Sequence, residues 1–165
     1  MHVFWSNRQL AHAGTRFVRA GQIVPSPEAP DRAELILRTL RARGHSVSAP
    51  LDGGLKPILA VHDADYVAFL QTVHASWTAF AGAEAAAMPN VHPRGPAARR
   101  PASPVGQLGW YTGDMACEIT ADTWDAAYDS AQAAADAARI VIERNETAYA
   151  LCRPPGHHAG RDRAM

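Results

Sequence analysis

Two adjacent histidines, His157 and His158, are the residues of this sequence best suited to chemistry. An imidazole takes up and releases protons near neutral pH, and its basicity depends on the group that its second nitrogen meets. A tandem pair can therefore divide a hydrolytic task. One ring serves as general base toward a water, while its neighbour stays protonated and stabilises negative charge. The alternative is that the pair only hydrogen-bonds a turn, because a short motif is weak without its context.

The context of the pair favours an active-site loop. Pro154 and Pro155 stiffen the approach to the histidines. Gly156 and Gly160 predict backbone conformations or close approaches that a Cβ atom would forbid. The loop follows a predicted buried strand at 147–152, and sites in open α/β folds form beyond the carboxyl ends of strands. The pair alone is not expected to bind a metal, because successive side chains of an extended loop point apart and no Cys or carboxylate lies at ligand spacing.

The elements that position this loop follow from hydrophobic periodicity. Strand-forming runs and helical patterns alternate along the chain, which favours an α/β sheet. The strands are predicted at 2–5, 45–50 and 147–152, and the helices at 31–44, 66–80 and 122–145. Asp63 or Asp65 is expected to cap the second helix through its side chain. Gly44 is expected to end the first helix.

Helical spacing also predicts which side chains form the core. In the second helix these are Tyr66, Phe69, Leu70, Val73, Trp77 and Phe80. In the third helix the predicted core face consists of Trp124, Ala127, Tyr128, Ala131, Ala135, Ala138 and Ile142. Residues 6–30 show little periodicity and end in PSPEAP at 25–30, which is a loop by composition. Residues 82–106 begin with an Ala-rich run at 82–87 and are then broken by five prolines, so they are also predicted to lack regular structure.

The bulk composition excludes several classes of protein. Lys and Arg total 16, as do Asp and Glu, so a broad electrostatic surface for nucleic acid or anionic lipid is not expected. No segment approaches the roughly 18 apolar residues that span a membrane. The N-terminus does not resemble a signal peptide. Cys117 and Cys152 give no disulfide framework. These features predict a cytoplasmic protein with no membrane partner.

Five segments, in this order, resemble the N-terminal part of the zinc-dependent deacetylase superfamily, which includes the histone deacetylases. Within it, the chain is most similar to the bacterial acetylpolyamine amidohydrolases. The segments are PEAPDRA at 27–33, VHDADYVAFL at 61–70, GQLGWY at 106–111, TWDAA at 123–127 and CRPPGHHAG at 152–160. The resemblance implies a three-layer α/β fold with a mainly parallel sheet of the arginase/deacetylase type. Residues 1–165 would be the incomplete N-terminal part of a single deacetylase domain, with the proline-rich insertion at 82–106.

The resemblance also implies a role for each histidine. His158 would be the general base that activates a zinc-bound water, and His157 would be mainly an electrostatic helper. The reaction would be hydrolysis of an N-acetyl amide on a small cationic amine, with zinc polarising the carbonyl. The 82–106 insertion would help to form a homodimer and narrow the active-site entrance. Asp114 and Glu118 are acidic candidates for binding the cationic substrate, and Gly156 is grouped with them as substrate-binding.

Several parts of the family's site are not found in this sequence. The Asp-x-His zinc motif, the second zinc aspartate and the transition-state tyrosine would follow Met165, so the chain is expected to be inactive alone. Two alternatives remain open: a protein-lysine deacetylase of the same superfamily, and a non-catalytic interaction module. Among other residues, His62 is expected to make a structural hydrogen bond, Arg153 to anchor the loop and Cys152 to be a small buried hydrophobe.

Overall fold

The described residues form five strands, five α-helices and one 3-10 helix. The computed structural model describes residues 1–14, 16–82, 87–116 and 118–165. The elements in chain order are β1 (His2–Phe4), the 3-10 helix (Asn7–Leu10), β2 (Arg16–Arg19), β3 (Gln22–Pro25), α1 (Pro30–Ala42), β4 (Ser46–Ser48), α2 (Lys56–Leu59), α3 (Ala64–Ala81), α4 (Pro104–Tyr111), α5 (Thr123–Arg144) and β5 (Ala148–Ala150).

These elements divide into two compact units. The first, here called the sheet unit, consists of Met1–Ala13, Glu28–Ala60 and Asp122–Pro155. The second, here called the α3–α4 unit, consists of Gly14–Pro27, Val61–Ala121 and Gly156–Met165. The predicted active-site loop crosses from one to the other at Pro155, so both histidines belong to the α3–α4 unit.

The sheet unit contains a three-stranded parallel sheet in the order β4-β1-β5. Side chains alternate between the two faces of a strand, and this alternation gives each face of the sheet its own helix. Phe4 packs with Ala133, Ala137 and Ile140 of α5. Trp5, directly after β1, packs with Ala33 and Leu37 of α1. Helices on both faces of a parallel sheet confirm the predicted α/β class.

The face that α5 buries is not the predicted one. Ile142, a predicted core residue, is 81% exposed, whereas Ile140 is 4% exposed. The buried residues of α5 include three polar side chains, Asp129, Gln132 and Asp136. Apolar periodicity cannot detect a face of this kind, because these polar groups are buried through hydrogen bonds rather than through hydrophobicity.

Two of those polar side chains, Gln132 and Asp136, hold residues 51–54 against α5. Asp136 accepts a hydrogen bond from the backbone N–H of Leu51 at 2.6 Å. Gln132 accepts from Gly53 N at 3.0 Å and donates to Gly54 O at 2.9 Å. Positions 132 and 136 are four residues apart, so they lie on one side of the helix. The helix therefore presents a row of hydrogen-bonding groups to residues 51–54.

The α3–α4 unit has its own apolar core. Tyr66, Phe69 and Val73 of α3 pack with Leu108 and Tyr111 of α4. Most of the predicted α3 face is thus confirmed, with the exception of Phe80, which is 62% exposed.

Helix α4 was not predicted, because Pro104 was expected to break any regular element. Instead, Pro104 occupies the first turn, where its fixed φ favours a helix and no N–H is needed. The Ser103 side chain caps this helix by accepting from Gly106 N at 3.2 Å. The Ala-rich run occupies 82–87 in the sequence, and its residues 83–86 lie outside the described residues.

Residues 16–25, where the sequence shows little periodicity, form the antiparallel hairpin β2–β3. Its turn has positive φ at Ala20 (50°) and Gly21 (76°). Two residues with positive φ are typical of the tight hairpin turns that match strand twist. The usual Asn-Gly or Asp-Gly signal is replaced here by Ala-Gly, which concealed the hairpin.

Within the described ranges, no helix is both long enough and apolar enough to cross a membrane.

Candidate functional site

The two histidines occupy the centre of a tight turn. Ala159 N donates to Gly156 O at 2.9 Å, which closes a four-residue turn around His157 and His158. Both side chains are exposed. Their ring centroids lie 4.1 Å apart, with the planes inclined by 49°. The turn therefore presents two neighbouring imidazoles to solvent.

Neither glycine of this loop is required by sterics, contrary to the sequence-based expectation. Positive φ is found at Gly21, Gly44, Gly54 and Gly82 among the described glycines, and not at Gly156 or Gly160. A Cβ atom at Gly156 would meet nothing closer than Ala159 Cβ at 4.0 Å. At Gly160 the nearest atom would be 3.7 Å away. Both are ordinary contacts, so any need for Gly156 must come from something other than this chain's own packing.

The segment after the histidines is tied to the start of α3. Asp63 N donates to Arg161 O at 3.0 Å, and Arg161 Nε donates to Asp63 Oδ1 at 2.6 Å. His62 Nδ1 also lies 3.1 Å from Arg161 O, which supports its expected structural role. Asp63 is the N-cap residue of α3 but makes no side-chain capping bond. The prediction of a capping carboxylate is wrong for Asp63, because Arg161 takes that carboxylate.

Residues 162–165 are held by α4 and by the segment after it. Ala164 N donates to Tyr111 O at 2.8 Å, and Gly113 N donates to Ala164 O at 2.7 Å. Arg94 donates to Trp110 O at 2.6 Å and to Asp162 Oδ2 at 3.1 Å. The loop that carries the histidines is therefore fixed on its C-terminal side by backbone bonds and an ion pair.

Arg153, in the sheet unit, anchors the N-terminal side of the loop, as predicted. It is 3% exposed. Its Nε and Nη2 donate to the two carboxylate oxygens of Glu28 at 2.7 and 2.9 Å. Its remaining donors reach the carbonyl oxygens of Gln9 and His12. A planar guanidinium with a two-pronged carboxylate partner is a rigid support.

Cys152 is exposed, which corrects the expectation of a buried side chain. Its sulfur nevertheless lies against α5 and donates to Ser130 O at 3.4 Å. Partial desolvation raises the pKa of the Cys152 thiol. A raised pKa lowers the thiolate fraction at neutral pH, and the thiolate is the nucleophilic form.

The predicted substrate-binding carboxylates are engaged within the α3–α4 unit. Glu118 is 6% exposed, and its oxygens accept from Arg16 N at 2.9 Å and from Arg16 Nε at 3.3 Å. Asp114 is half-buried and accepts from Ala116 N at 2.9 Å, a local turn contact. These contacts give both residues a structural use, while their predicted role in substrate binding stays a prediction.

A metal site is not assembled by the part of the chain that the structure describes. No group of three His, Cys, Asp or Glu side chains comes close enough there to hold an ion. The two imidazoles, with no third ligand nearby, do not match the tetrahedral N, O and S sets that zinc prefers.

Proton transfer is the chemistry that the loop itself offers. Neither imidazole hydrogen-bonds another described side chain, so both can exchange protons with a water or a substrate. The carboxylate or carbonyl partner that would fix each tautomer is not found among the described residues.

Sequence reasoning missed a cavity at the start of α3. Asp65, Arg100 and Asp162 are among the residues that line it. The helix-capping interpretation of Asp65 gave no reason to expect a cavity. The sequence hint for this cavity is that several segments carry charged or aromatic residues. Those segments meet only in the folded chain.

The parallel sheet, with the histidine pair following its last strand, defines an α/β protein with a loop suited to proton transfer. The chain belongs to the histone deacetylase domain family, whose sequence profile matches residues 26–165. The family resemblance drawn from the five sequence segments is thereby confirmed.

The relatives have more specific names. Acetylpolyamine amidohydrolase of Burkholderia pseudomallei (strain 1710b) is 42% identical over 164 residues, covering 98% of this chain and 47% of that protein. Its counterpart in Mycoplana ramosa is 40% identical over 162 residues, covering 97% and 47%. This chain thus spans about half the length of the curated relatives it matches.

Solved structures agree with the fold. The crystal structure of acetylpolyamine aminohydrolase from Burkholderia pseudomallei matches with a TM-score of 0.92 at 38% identity, covering 99% of this chain and 48% of that one. The HDA15 HD domain matches with a TM-score of 0.66 at 23% identity, covering 99% and 38%. At that identity the second match supports the fold alone.

Proposed function

We propose that this protein is an amidohydrolase that removes acetyl groups from acetylated polyamines or related small cationic amines. The observation that carries the proposal is the exposed His157–His158 turn in a chain of the histone deacetylase domain family. The names of the most similar relatives supply the substrate class. The chain would contribute the residues that handle protons in this reaction.

The two imidazoles would act in sequence on one acetyl amide. His158 accepts a proton from the attacking water, and His157 stabilises negative charge that develops on the amide oxygen. The proton held by the pair then passes to the leaving amine, so that acetate and free amine are released. General acid–base catalysis of this kind typically contributes about 10² to 10⁴ in rate.

Zinc remains part of the proposal for the whole protein. When bound, it would polarise the acetyl carbonyl and make water a better nucleophile. The described residues do not form a ligand set for it, so none of the steps above is assigned to the metal.

A homodimer is also proposed for the whole protein, and light scattering would measure the molar mass of its assembly.

The test of substrate class compares two acetylated amines on the purified whole protein. Acetate release from mono-N-acetyl-1,4-diaminobutane should have a higher kcat/KM than release from an acetyl-lysine peptide. A preference for the peptide would move the proposal to a protein-lysine deacetylase. No acetate from either substrate, in zinc-supplemented whole protein that is folded by circular dichroism, would overturn the proposal and favour a non-catalytic interaction module.

A further inference from the structure

The His157–His158 turn is followed directly by a second turn in the same α3–α4 unit. Gly160 N donates to Arg163 O at 2.8 Å, which closes a turn over residues 160–163. Asp162 lies inside this 160–163 turn, only a few residues after the histidines. A contact that fixes the main chain at Asp162 therefore limits where the two imidazoles can lie.

Arg94, from the proline-rich segment, makes such a contact. Its Nη2 donates to the backbone oxygen of Asp162 at 3.2 Å and to the carboxylate Oδ2 of the same residue at 3.1 Å. The first bond holds the main chain of the 160–163 turn, and the second adds an ion pair. The Arg94 side chain is 26% exposed, so water competes with these bonds less than it does at a fully exposed pair.

The guanidinium of Arg94 is itself held in a fixed orientation by α4. Its Nε donates to Trp110 O at 2.6 Å, and its central carbon lies 5.0 Å from the centroid of the Trp110 ring. That distance is within the range of cation–π attraction. Because the guanidinium is planar and its donors have fixed directions, the contact with α4 determines where Nη2 points. Arg94 thus connects the end of α4 to the 160–163 turn as a rigid bridge.

The segment that carries Arg94 fits closely against α4. A Cβ atom at Gly109 would overlap the backbone oxygen of Val91, so the close approach of the two main chains requires glycine at that position. The His92 ring adds a contact beyond the end of the helix, with Nδ1 3.1 Å from Thr112 O. The proline-rich segment therefore holds the main chain next to Arg94 firmly on α4.

We propose that Arg94 is a positioning residue, which holds the His157–His158 turn where its imidazoles can transfer protons. This inference rests on the proposed function. Within the described residues, the contacts of Arg94 are with Trp110 and Asp162 and not with either imidazole. It therefore acts through the main chain of the 160–163 turn. Misplacement of a reacting group by about 1 Å can cost about 100-fold in rate.

The kinetic test measures acetate release from mono-N-acetyl-1,4-diaminobutane by the whole protein. Arg94→Met keeps an unbranched side chain but removes the donors. It should lower kcat by about tenfold or more and leave KM within about twofold, because it misplaces the proton-transfer groups without removing a substrate contact. Arg94→Lys keeps the charge but not the planar fork, so it should recover only part of the lost kcat.

A second readout does not depend on catalysis. In whole protein labelled at histidine, the ring NMR signals of His157 and His158 should move in Arg94→Met and move less in Arg94→Lys. An arginine that only stabilises the fold would lower the free energy of unfolding without moving these signals in the folded protein. Arg99→Met is the matched control, since Arg99 is an exposed arginine of the same segment, and it should leave the signals unchanged.

Two results would overturn the proposal: ring signals that stay at their wild-type positions in both Arg94 variants, or a kinetic loss that lies in KM with kcat unchanged. Failure of the proposed function would look different. In that case the wild-type protein itself releases no acetate, and the NMR comparison still decides whether Arg94 positions the histidines.

Discussion

Arg153 and Arg161 each place Nε within 2.7 Å of a carboxylate, but their surroundings differ. The Arg153 side chain is 3% exposed and that of Arg161 is 72% exposed. Removing one partner of a buried pair leaves an uncompensated charge, whereas an exposed pair exchanges its partner for water. Burial should therefore decide how much each arginine stabilises the fold.

We expect Arg153→Met to lower the free energy of unfolding by about 3–5 kcal/mol, because the carboxylate of Glu28 and two backbone carbonyls lose their donor. Arg161→Met is the matched control and should cost about 1 kcal/mol or less. Urea unfolding followed by circular dichroism measures both. Equal losses in the two variants would show that the Arg153 cluster is not the anchor described here.

At the scale of single residues, the sequence predicted which residues matter better than it predicted their burial and contacts. The contacts of Arg153 and His62 fit the structural roles that the sequence predicts for them, while the catalytic role of the histidine pair stays a prediction. The exposure of Cys152 and the engagement of Glu118 by Arg16 were not predictable. Each depends on a segment distant along the chain, and one sequence carries no record of which segments meet.

The helix α5 shows what hydrophobic periodicity leaves out. Its limits were predicted to within a few residues, but its buried face was not. Ile140→Ala should cost about 2–5 kcal/mol, the usual range for truncating a buried aliphatic side chain. Ile142→Ala should change stability by no more than about 0.5 kcal/mol, since it is exposed. Measuring the unfolding free energy of both variants shows which face of α5 is buried. A larger loss for Ile142→Ala than for Ile140→Ala would contradict the burial described here.

The loop held by α5 should also respond to pH. The Tyr128 hydroxyl donates to Asp52 Oδ1, and this bond, with a second from Gly54 N at 2.9 Å, lowers the pKa of the Asp52 carboxyl. A folded-state pKa below the unfolded value gives stabilisation that is complete above the unfolded pKa and is lost as pH falls through the folded pKa. The stabilisation that comes from the lowered Asp52 pKa is therefore lost at pH values below the ordinary pKa range of a carboxyl group.

Substituting Tyr128→Phe isolates this contribution. We expect the Asp52 carboxyl to titrate at a higher pH in the variant, as followed by carbon-detected NMR of the side-chain carboxyl. The stability difference between wild type and variant should shrink as the solution is acidified below about pH 4. An unchanged Asp52 titration would mean that the tyrosine does not lower its pKa.

At the scale of the whole molecule, the α/β class and the order of the main elements could be predicted from the sequence. The division into two units could not. It depends on the hairpin β2–β3 and on α4, both of which lie in stretches that appeared irregular. A positive-φ Ala-Gly turn and a proline in a first helical turn are weak signals until the surrounding packing is known.

Two features of the whole chain limit what it can contribute to the reaction: its ligand groups and the length over which it matches its relatives. Its described residues present two imidazoles and a supported loop but no metal ligand set. About half the length of its relatives lies outside the match. We therefore propose only that the His157–His158 turn performs the proton transfers of acetyl-amide hydrolysis.

The most direct test of that proposal is acetate release from mono-N-acetyl-1,4-diaminobutane by the whole protein and its histidine variants. His158→Ala should lower kcat by about 100-fold or more, as expected for loss of a general base, and His157→Ala should have a smaller effect. His45→Ala, outside the loop, should retain wild-type kcat. Wild-type kcat in the His158→Ala variant would contradict the account.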